Sequence, residues 1–502
     1  MKKLLLTCCV FMVLATTSVL RAQTVVTDTR FARGATMAFG RMVLKNVPAA
    51  QLEEQGFCYA EHAEPTVGDL KHVATIKNGG TIYWMKDLKP ATKYFMRAYA
   101  ILKDGTTLYG DVVKFYTIPM GQITYTIRND GPTADRERIT NATKQAIDLW
   151  NNLTEMKGFS PNVGYDAGVQ TADCSYGGWI RVGKNASYQA AGTIMHEMLH
   201  GCGVIPWADT EWSRHNLRAS VNGDGYGTGK WLGDRVTEVL SFWDNKKSEQ
   251  LNGDYQHMWP YGINGAHEDN GTNALYIGNS LVCQALGEDG LQHTYTQFAQ
   301  PYYAFDQEDD VKYYLTNESA DRGLNTAFLV ANASGTLKWV EMTEEEAVDN
   351  DSTAWYITFS PDNQYYQFRN AGTGQYLTYE SRIKTASRSK LTANDDWHLM
   401  KGRVDVDGQR GYWIIHPEAN WTPHCLQANR NGVTGAAVFD IANSATAQRW
   451  IIKSLSGVTG VREIRQEEPQ RASGIYDLQG RRVKDTSRKG IYIINGKKFL
   501  VK

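Results

Sequence analysis

The stretch Gly192-Thr193-Ile194-Met195-His196-Glu197-Met198-Leu199-His200-Gly201-Cys202-Gly203 decides how the rest of the chain is read. It holds H-E-x-x-H, then two residues, then Gly. On a helix, residues four apart lie on one face, so His196 and His200 can turn two imidazoles toward one metal ion. Glu197 sits beside them, placed to hold a water. Ala190, Ala191, Ile194, Met195, Met198 and Leu199 make the run mostly apolar, no proline interrupts it, and Gly201 and Gly203 can end it. A helix is predicted, and a buried helix with two histidines four apart by chance is the bland alternative.

The 502 residues exceed one ordinary core, so several domains are expected. A net charge of -1 gives no electrostatic reason for a nucleic-acid partner. Met1-Lys2-Lys3, an apolar stretch from Leu4 to Leu20 and Arg21-Ala22-Gln23 read as a signal peptide over residues 1–22, cut after Ala22. Nothing later is long and apolar enough to span a bilayer. The expected address is secreted or outer-membrane surface. The five later cysteines, Cys58, Cys174, Cys202, Cys283 and Cys425, are too scattered for a disulfide framework. A Cys174–Cys202 pair and five isolated thiols both stay open.

Residues 23–118 alternate apolar and polar in short runs, as in Thr81-Ile82-Tyr83-Trp84 and Lys93-Tyr94-Phe95-Met96-Arg97-Ala98-Tyr99-Ala100, which predicts a β-sandwich. The run Leu88-Lys89-Pro90-Ala91-Thr92-Lys93-Tyr94, then Arg97-Ala98-Tyr99, resembles the corner and strand of a fibronectin type III-like module. Such modules act as spacers or docking units.

Residues 119–303 begin with strand-like Ile123 to Arg128. A helix follows, which Thr133 can cap, with Ile139, Ala142, Ala146, Leu149 and Leu153 on one face. Strand-like Asn162–Tyr165 and Gly178–Val182 lead to the His196 helix. With H-E-x-x-H-x-x-G, this order resembles an α+β metzincin-type zinc peptidase domain. The resemblance implies Zn2+ as cofactor, His196 and His200 as ligands and Glu197 as the catalytic base. The common pattern puts a third histidine where this chain has Pro206. A catalytic zinc generally takes three protein ligands and leaves one position open. His257, in Gln256-His257-Met258-Trp259-Pro260-Tyr261, is the first candidate, and the long insertion before it is similar to the leishmanolysin-like branch. His215 is the second. Glu238, on a helix marked by Val236, Leu240 and Phe242, is the gluzincin-like alternative. Asp209, Glu211, His267 and His293 are further donors. Tyr261 is a candidate for polarising a substrate carbonyl, with packing as its plain reading. Asn222-Gly223-Asp224-Gly225 reads as a turn more than as a calcium loop.

From 304 to 455 the pattern becomes β. Ala354-Trp355, Asp396-Trp397 and Gln448-Arg449-Trp450 recur, and only the last is a full Q-x-W. The recurrence resembles the ricin B-type β-trefoil and implies carbohydrate as a partner. Residues 456–502 are a linker and then Gly474-Ile475-Tyr476-Asp477-Leu478-Gln479-Gly480-Arg481-Arg482-Val483 with Gly490-Ile491-Tyr492-Ile493-Ile494-Asn495-Gly496. This is similar to the C-terminal sorting tails of exported Bacteroidetes proteins, which implies secretion machinery as a partner; a small β hairpin is the plain alternative. The expected activity is zinc-dependent hydrolysis of protein or glycoprotein substrates. The alternative is a catalytically inactive carbohydrate-binding adhesin on a peptidase-like scaffold.

Overall fold

The computed structural model describes residues 22–455 except 73, 205–217, 220–228, 232, 255, 292–301, 320–322, 407–408, 418–423 and 438–445, and beyond these 475–476, 482–483, 490–494 and 497–501. Residues 1–21, where the signal peptide is expected, are outside the described residues. The chain is multidomain and mostly β-sheet. Residues through Lys453 gather into one compact unit and Ser454–Lys502 into a second. Among the described residues no helix is long and apolar enough to cross a membrane.

The first nine strands are β1 (Thr24–Arg33), β2 (Ala38–Lys45), β3 (Leu52–Ala60), β4 (Leu70–His72), β5 (Thr75–Lys77), β6 (Thr81–Met85), β7 (Lys93–Leu102), β8 (Thr107–Tyr109) and β9 (Val113–Tyr116). They form one sheet in the order β1-β2-β6-β5 and another in the order β4-β3-β7-β8, with β9 also on β7. Alternation sends Phe57, Tyr59, Tyr94, Met96 and Phe115 from one sheet and Tyr83 and Met85 from the other into a shared core. Within this sandwich the Tyr94 hydroxyl accepts the Lys89 amide at 3.2 Å.

Next come β10 (Thr126–Ile127), α1 (Thr133–Leu153), β11 (Asn162–Tyr165), β12 (Ala172–Ser175), β13 (Trp179–Val182) and α2 (Ala191–Cys202). The sheet order is β10-β11-β13-β12, parallel except for β12, which runs antiparallel at the edge. The strand expected from Ile123 shrinks to two residues. Thr133 is the first helical residue of α1 and not its cap; Pro132 holds the cap position, with no side-chain bond. The helix buries Ile139, Ala142, Ala146 and Leu153 of the stripe that the sequence marks, adds Ile147 and Trp150, and leaves Leu149 half-buried.

Beyond α2 lie β14 (Arg218–Ala219), β15 (Gly229–Trp231), α3 (Asp234–Trp243), β16 (Asn252–Gly253), β17 (Met258–Trp259) and α4 (Asn273–Glu288). The four short strands pair in chain order. Helix α4 extends the expected Ile277–Leu286 segment in both directions, because the Thr272 hydroxyl caps the Leu275 amide at 3.3 Å. Every residue from Tyr276 to Glu288 is buried, and Asn279 accepts the Trp150 indole N–H at 3.0 Å.

Between Lys312 and Ser454 the chain makes a ten-stranded sheet and a hairpin of Ala327–Ala331 with Leu337–Glu341. Trp355, Trp397 and Trp450 are fully buried. Each indole N–H donates to the carbonyl of a leucine earlier in the chain: Leu329 at 3.4 Å, Leu377 at 3.0 Å and Leu426 at 2.8 Å. The recurrence read in the sequence is therefore a recurrence of one bond. The second unit contains the strands Ile475–Tyr476, Arg482–Val483, Gly490–Ile494 and Lys497–Val501, joined in one antiparallel sheet. All five described cysteines are free, so Cys174 and Cys202 are not bridged.

Candidate metal centre

Of the two glycines that could end helix α2, Gly201 lies within it and Gly203 ends it. Gly203 takes φ +86°, and the amides of Gly203 and Val204 return to the carbonyls of His200 and Leu199 at 3.1 and 2.8 Å. That cap closes the helix just beyond His200. Ile194, Met195, Met198 and Leu199 fill the core, which leaves His196, Glu197 and His200 lining a cleft of about 540 Å³.

Nδ1 of His196 lies 2.8 Å from the Gly262 carbonyl oxygen. A carbonyl only accepts, so Nδ1 carries the proton, and the Nε2 of the neutral ring presents a lone pair. Burial, then His200 and more weakly His257, hold this ring neutral by lowering its pKa to about 4, against the pull of the Gly262 carbonyl. The Nε2 atoms of His196 and His200 face each other at 3.2 Å. Two nitrogens bonded to one tetrahedral zinc at its usual bond length stand about 3.3 Å apart. The pair thus has the spacing of two ligands on one ion.

His257 stands beside them. Its ring stacks on His196 at 5.8 Å between centroids, and it lines the same cleft. Asp254 accepts the His257 amide at 2.7 Å and stands 3.3 Å from its Nδ1. A carboxylate there orients the ring and keeps Nε2 outward, the usual arrangement around a metal-binding histidine. Among the described residues, no three His, Cys, Asp or Glu side chains already stand together at metal-holding distance. The spacing is met by the pair, with His257 adjacent.

The other candidates lie elsewhere. Glu238 lines a second cleft, where it pairs with Lys401 at 3.0 Å and Arg235 at 3.2 Å, so the structure does not bring it to the histidines. His267 is exposed, 3.9 Å from Glu268. Pro206, Asp209, Glu211, His215, Asn222–Gly225 and His293 are outside the described residues. Tyr261 does not face the cleft: its hydroxyl donates to Asp244 and accepts from Asn78 at 3.0 Å. That corrects its candidacy as a carbonyl-polarising group. Met258 is fully buried in the core that supports α2.

Glu197 is buried, and burial, then the nearby Asp173, pushes its carboxyl up to about 8. Ala172 to Ser175 of strand β12 also line the cleft, as do Tyr176 and Tyr188. Among the described residues β12 is the edge of its sheet, with no strand on its other side.

Sequence reasoning missed Asp254, Gly262 and Asn264. Gly262 acts through its backbone oxygen, which no side-chain pattern announces. Asn264 ties the same loop by donating to the Met258 carbonyl at 2.9 Å. The loop is also forced: Tyr261 and Ile263 take φ +69° and +55°. For a β-branched residue this is a true outlier, costing roughly 1–3 kcal/mol.

No family model and no curated protein matches the chain. Among solved structures, 30% of the chain is similar to a structure titled "PSL1a-E64 complex", at 16% identity and a TM-score of 0.22, over 49% of that chain. A further 16% identity with the Haemophilus ducreyi cytolethal distending toxin covers 30% of this chain and 86% of that one, again at 0.22. The corresponding toxin from Actinobacillus actinomycetemcomitans gives 15% identity over 29% and 92%, at 0.22. The chain thus spans about half the length of the first of these. At such TM-scores the likenesses carry no argument.

Proposed function

We propose that the chain is an exported zinc endopeptidase of metzincin-like type. The observation that carries this reading is the facing Nε2 pair of His196 and His200 at 3.2 Å, with the His196 proton fixed on the Gly262 carbonyl. The His196 Nε2 lone pair faces His200 Nε2 across a gap that a proton or a cation can bridge, and the donor set suits zinc. His196, His200 and His257 would hold the ion. Bound there, it would acidify a water and polarise a carbonyl.

The chain's own residues supply the rest. Glu197, one residue from the first ligand, would accept the proton of the attacking water and deliver it to the leaving amine. A nearby divalent cation would offset the burial that otherwise keeps this carboxyl protonated near neutral pH. The edge strand β12 offers backbone groups along the cleft, which suits an extended peptide laid antiparallel to it.

Around this site the reading places a fibronectin type III-like module, supported by the two-sheet order and the bond between Tyr94 and Lys89. It also places a ricin B-type trefoil, supported by the three equivalent tryptophan bonds. The terminal sheet would serve as a sorting tail, and export to the surface or medium follows from the N-terminal segment. The trefoil would bring carbohydrate-bearing proteins to the cleft.

The test is metal content and cleavage in one preparation. The unaltered chain is expected to hold about one zinc and to cut casein or gelatin. His196→Ala should lose the metal. Glu197→Gln should keep it and lose cleavage by about 10²–10⁴-fold. Cleavage that survives Glu197→Gln contradicts the mechanism.

A further inference from the structure

The N-terminal sandwich touches the machinery of the cleft. The turn between β5 and β6, Asn78-Gly79-Gly80, lies against the end of α3 and the loop after β17. Asn78 Nδ2 donates to the Trp243 carbonyl at 2.9 Å, to Asp244 Oδ1 at 2.8 Å and to the Tyr261 hydroxyl at 3.0 Å. Asn245 returns a bond to the Gly79 carbonyl at 2.8 Å. From β2, Arg41 donates to the Phe242 and Trp243 carbonyls at 2.9 and 2.7 Å, which satisfies the end of α3. It also holds its own turn through the Asn78 carbonyl at 2.7 Å. Gly79 has φ +55°, and a Cβ there would sit 2.1 Å from the Asp244 oxygen. Only glycine lets the turn come this close.

Tyr261 passes the contact onward. Its carbonyl accepts from Asn279 at 2.8 Å, and its ring lies over Gly278, where a Cβ would be 2.4 Å away. One residue later, Gly262 holds His196. Tyr261 and Ile263, the two left-handed residues flanking Gly262, keep that backbone only because their surroundings fix it. Part of those surroundings belongs to the sandwich.

We propose that Asn78 is a positioning residue for the zinc site: the sandwich turn fixes Tyr261, which sets the Gly262 carbonyl and so the direction of His196. The sandwich is then a working part of the peptidase and not a spacer. This rests on the zinc reading above.

The test uses the full chain, four single variants (Asn78→Ala, Tyr261→Phe, Gly79→Ala and, as a control, Tyr94→Phe) and the double variant Asn78→Ala/Tyr261→Phe. The control removes a bond inside the sandwich remote from this contact. Zinc affinity is measured by competition with a chromophoric chelator, geometry by the visible spectrum of the Co2+-loaded chain, and peptide cleavage as kcat and KM. Asn78→Ala and Gly79→Ala should each weaken zinc binding about 10-fold and alter the Co2+ spectrum, with kcat falling more than KM changes. Adding Tyr261→Phe to Asn78→Ala should cost little more than the worse single change. Tyr94→Phe should lower Tm and leave affinity and spectrum as they were. An Asn78→Ala chain with unaltered affinity and spectrum overturns the proposal, as does a Tyr94→Phe chain that loses both to the same extent. An unaltered chain that binds no zinc overturns the zinc reading as well, so the two failures are distinct.

Discussion

Asp254 holds His257 at two points: its carboxylate accepts the histidine's backbone N–H at 2.7 Å and stands 3.3 Å from Nδ1 of the ring. The backbone bond places the residue and the ring contact turns it. Asp254→Ala should therefore lower zinc affinity by about 10–100-fold while His196 and His200 still bind the ion. Chelator competition measures it. Affinity equal to that of the unaltered chain would mean that His257 is not a ligand.

Glu238 supplies the contrasting case. Its carboxylate is 40% exposed and pairs with Lys401 and Arg235, and the Lys401 pair should contribute no more than about 1 kcal/mol. Glu238→Ala is expected to leave zinc content unchanged and to shift the unfolding midpoint only slightly. Loss of zinc in that variant would restore the gluzincin-like arrangement.

Trp355, Trp397 and Trp450 invite a threefold comparison. Replacing any one with Phe leaves a buried leucine carbonyl without its donor, at a cost of about 1–3 kcal/mol. The longer Trp355 bond should make Trp355→Phe the mildest of the three. Urea unfolding followed by fluorescence would rank them, and a reversed order would argue against equivalent roles.

Glu155 gives a dependence on pH remote from the cleft. Burial, then Glu288, pushes its carboxyl up to about 8. In an unfolded chain it would titrate near ~4.3, so between these values the folded form keeps a proton that the unfolded form has released. Stability must fall as pH rises through that window, by up to about 1.4 kcal/mol per pH unit from this group, and level off above it. Glu155→Gln should flatten the difference between unfolding midpoints at pH 6 and pH 8. An identical slope in both chains would remove the group from the account.

What the sequence disclosed follows a physical line. Periodicity and caps are local, so α2, α1 and α4 could be read from their apolar spacing and end residues, with errors of a few residues at the starts. Trp397 and Trp450 were legible because a repeat is visible to simple comparison. Gly262, Asp254 and Asn78 were not, since a carbonyl, a loop carboxylate and a turn amide gain their roles only when distant segments meet. Glu238 shows the converse: its helix was read correctly as α3, but helical periodicity does not say which neighbour that face will meet, and it met Lys401.

Helix α4 is enclosed along nearly its whole length, and the loop carrying Gly262 lies before it in the chain. A ribosome that has reached Gly203 has made both histidines and the glutamate, yet neither the carbonyl that aims His196 nor the helix against which Tyr261 rests. The loop and helix that complete the cleft are therefore made only as synthesis passes its midpoint, at Glu288 of 502 residues. Until the chain runs through Glu288, the sequence that looks most like a finished active site has its β12 wall but not the loop that aims His196.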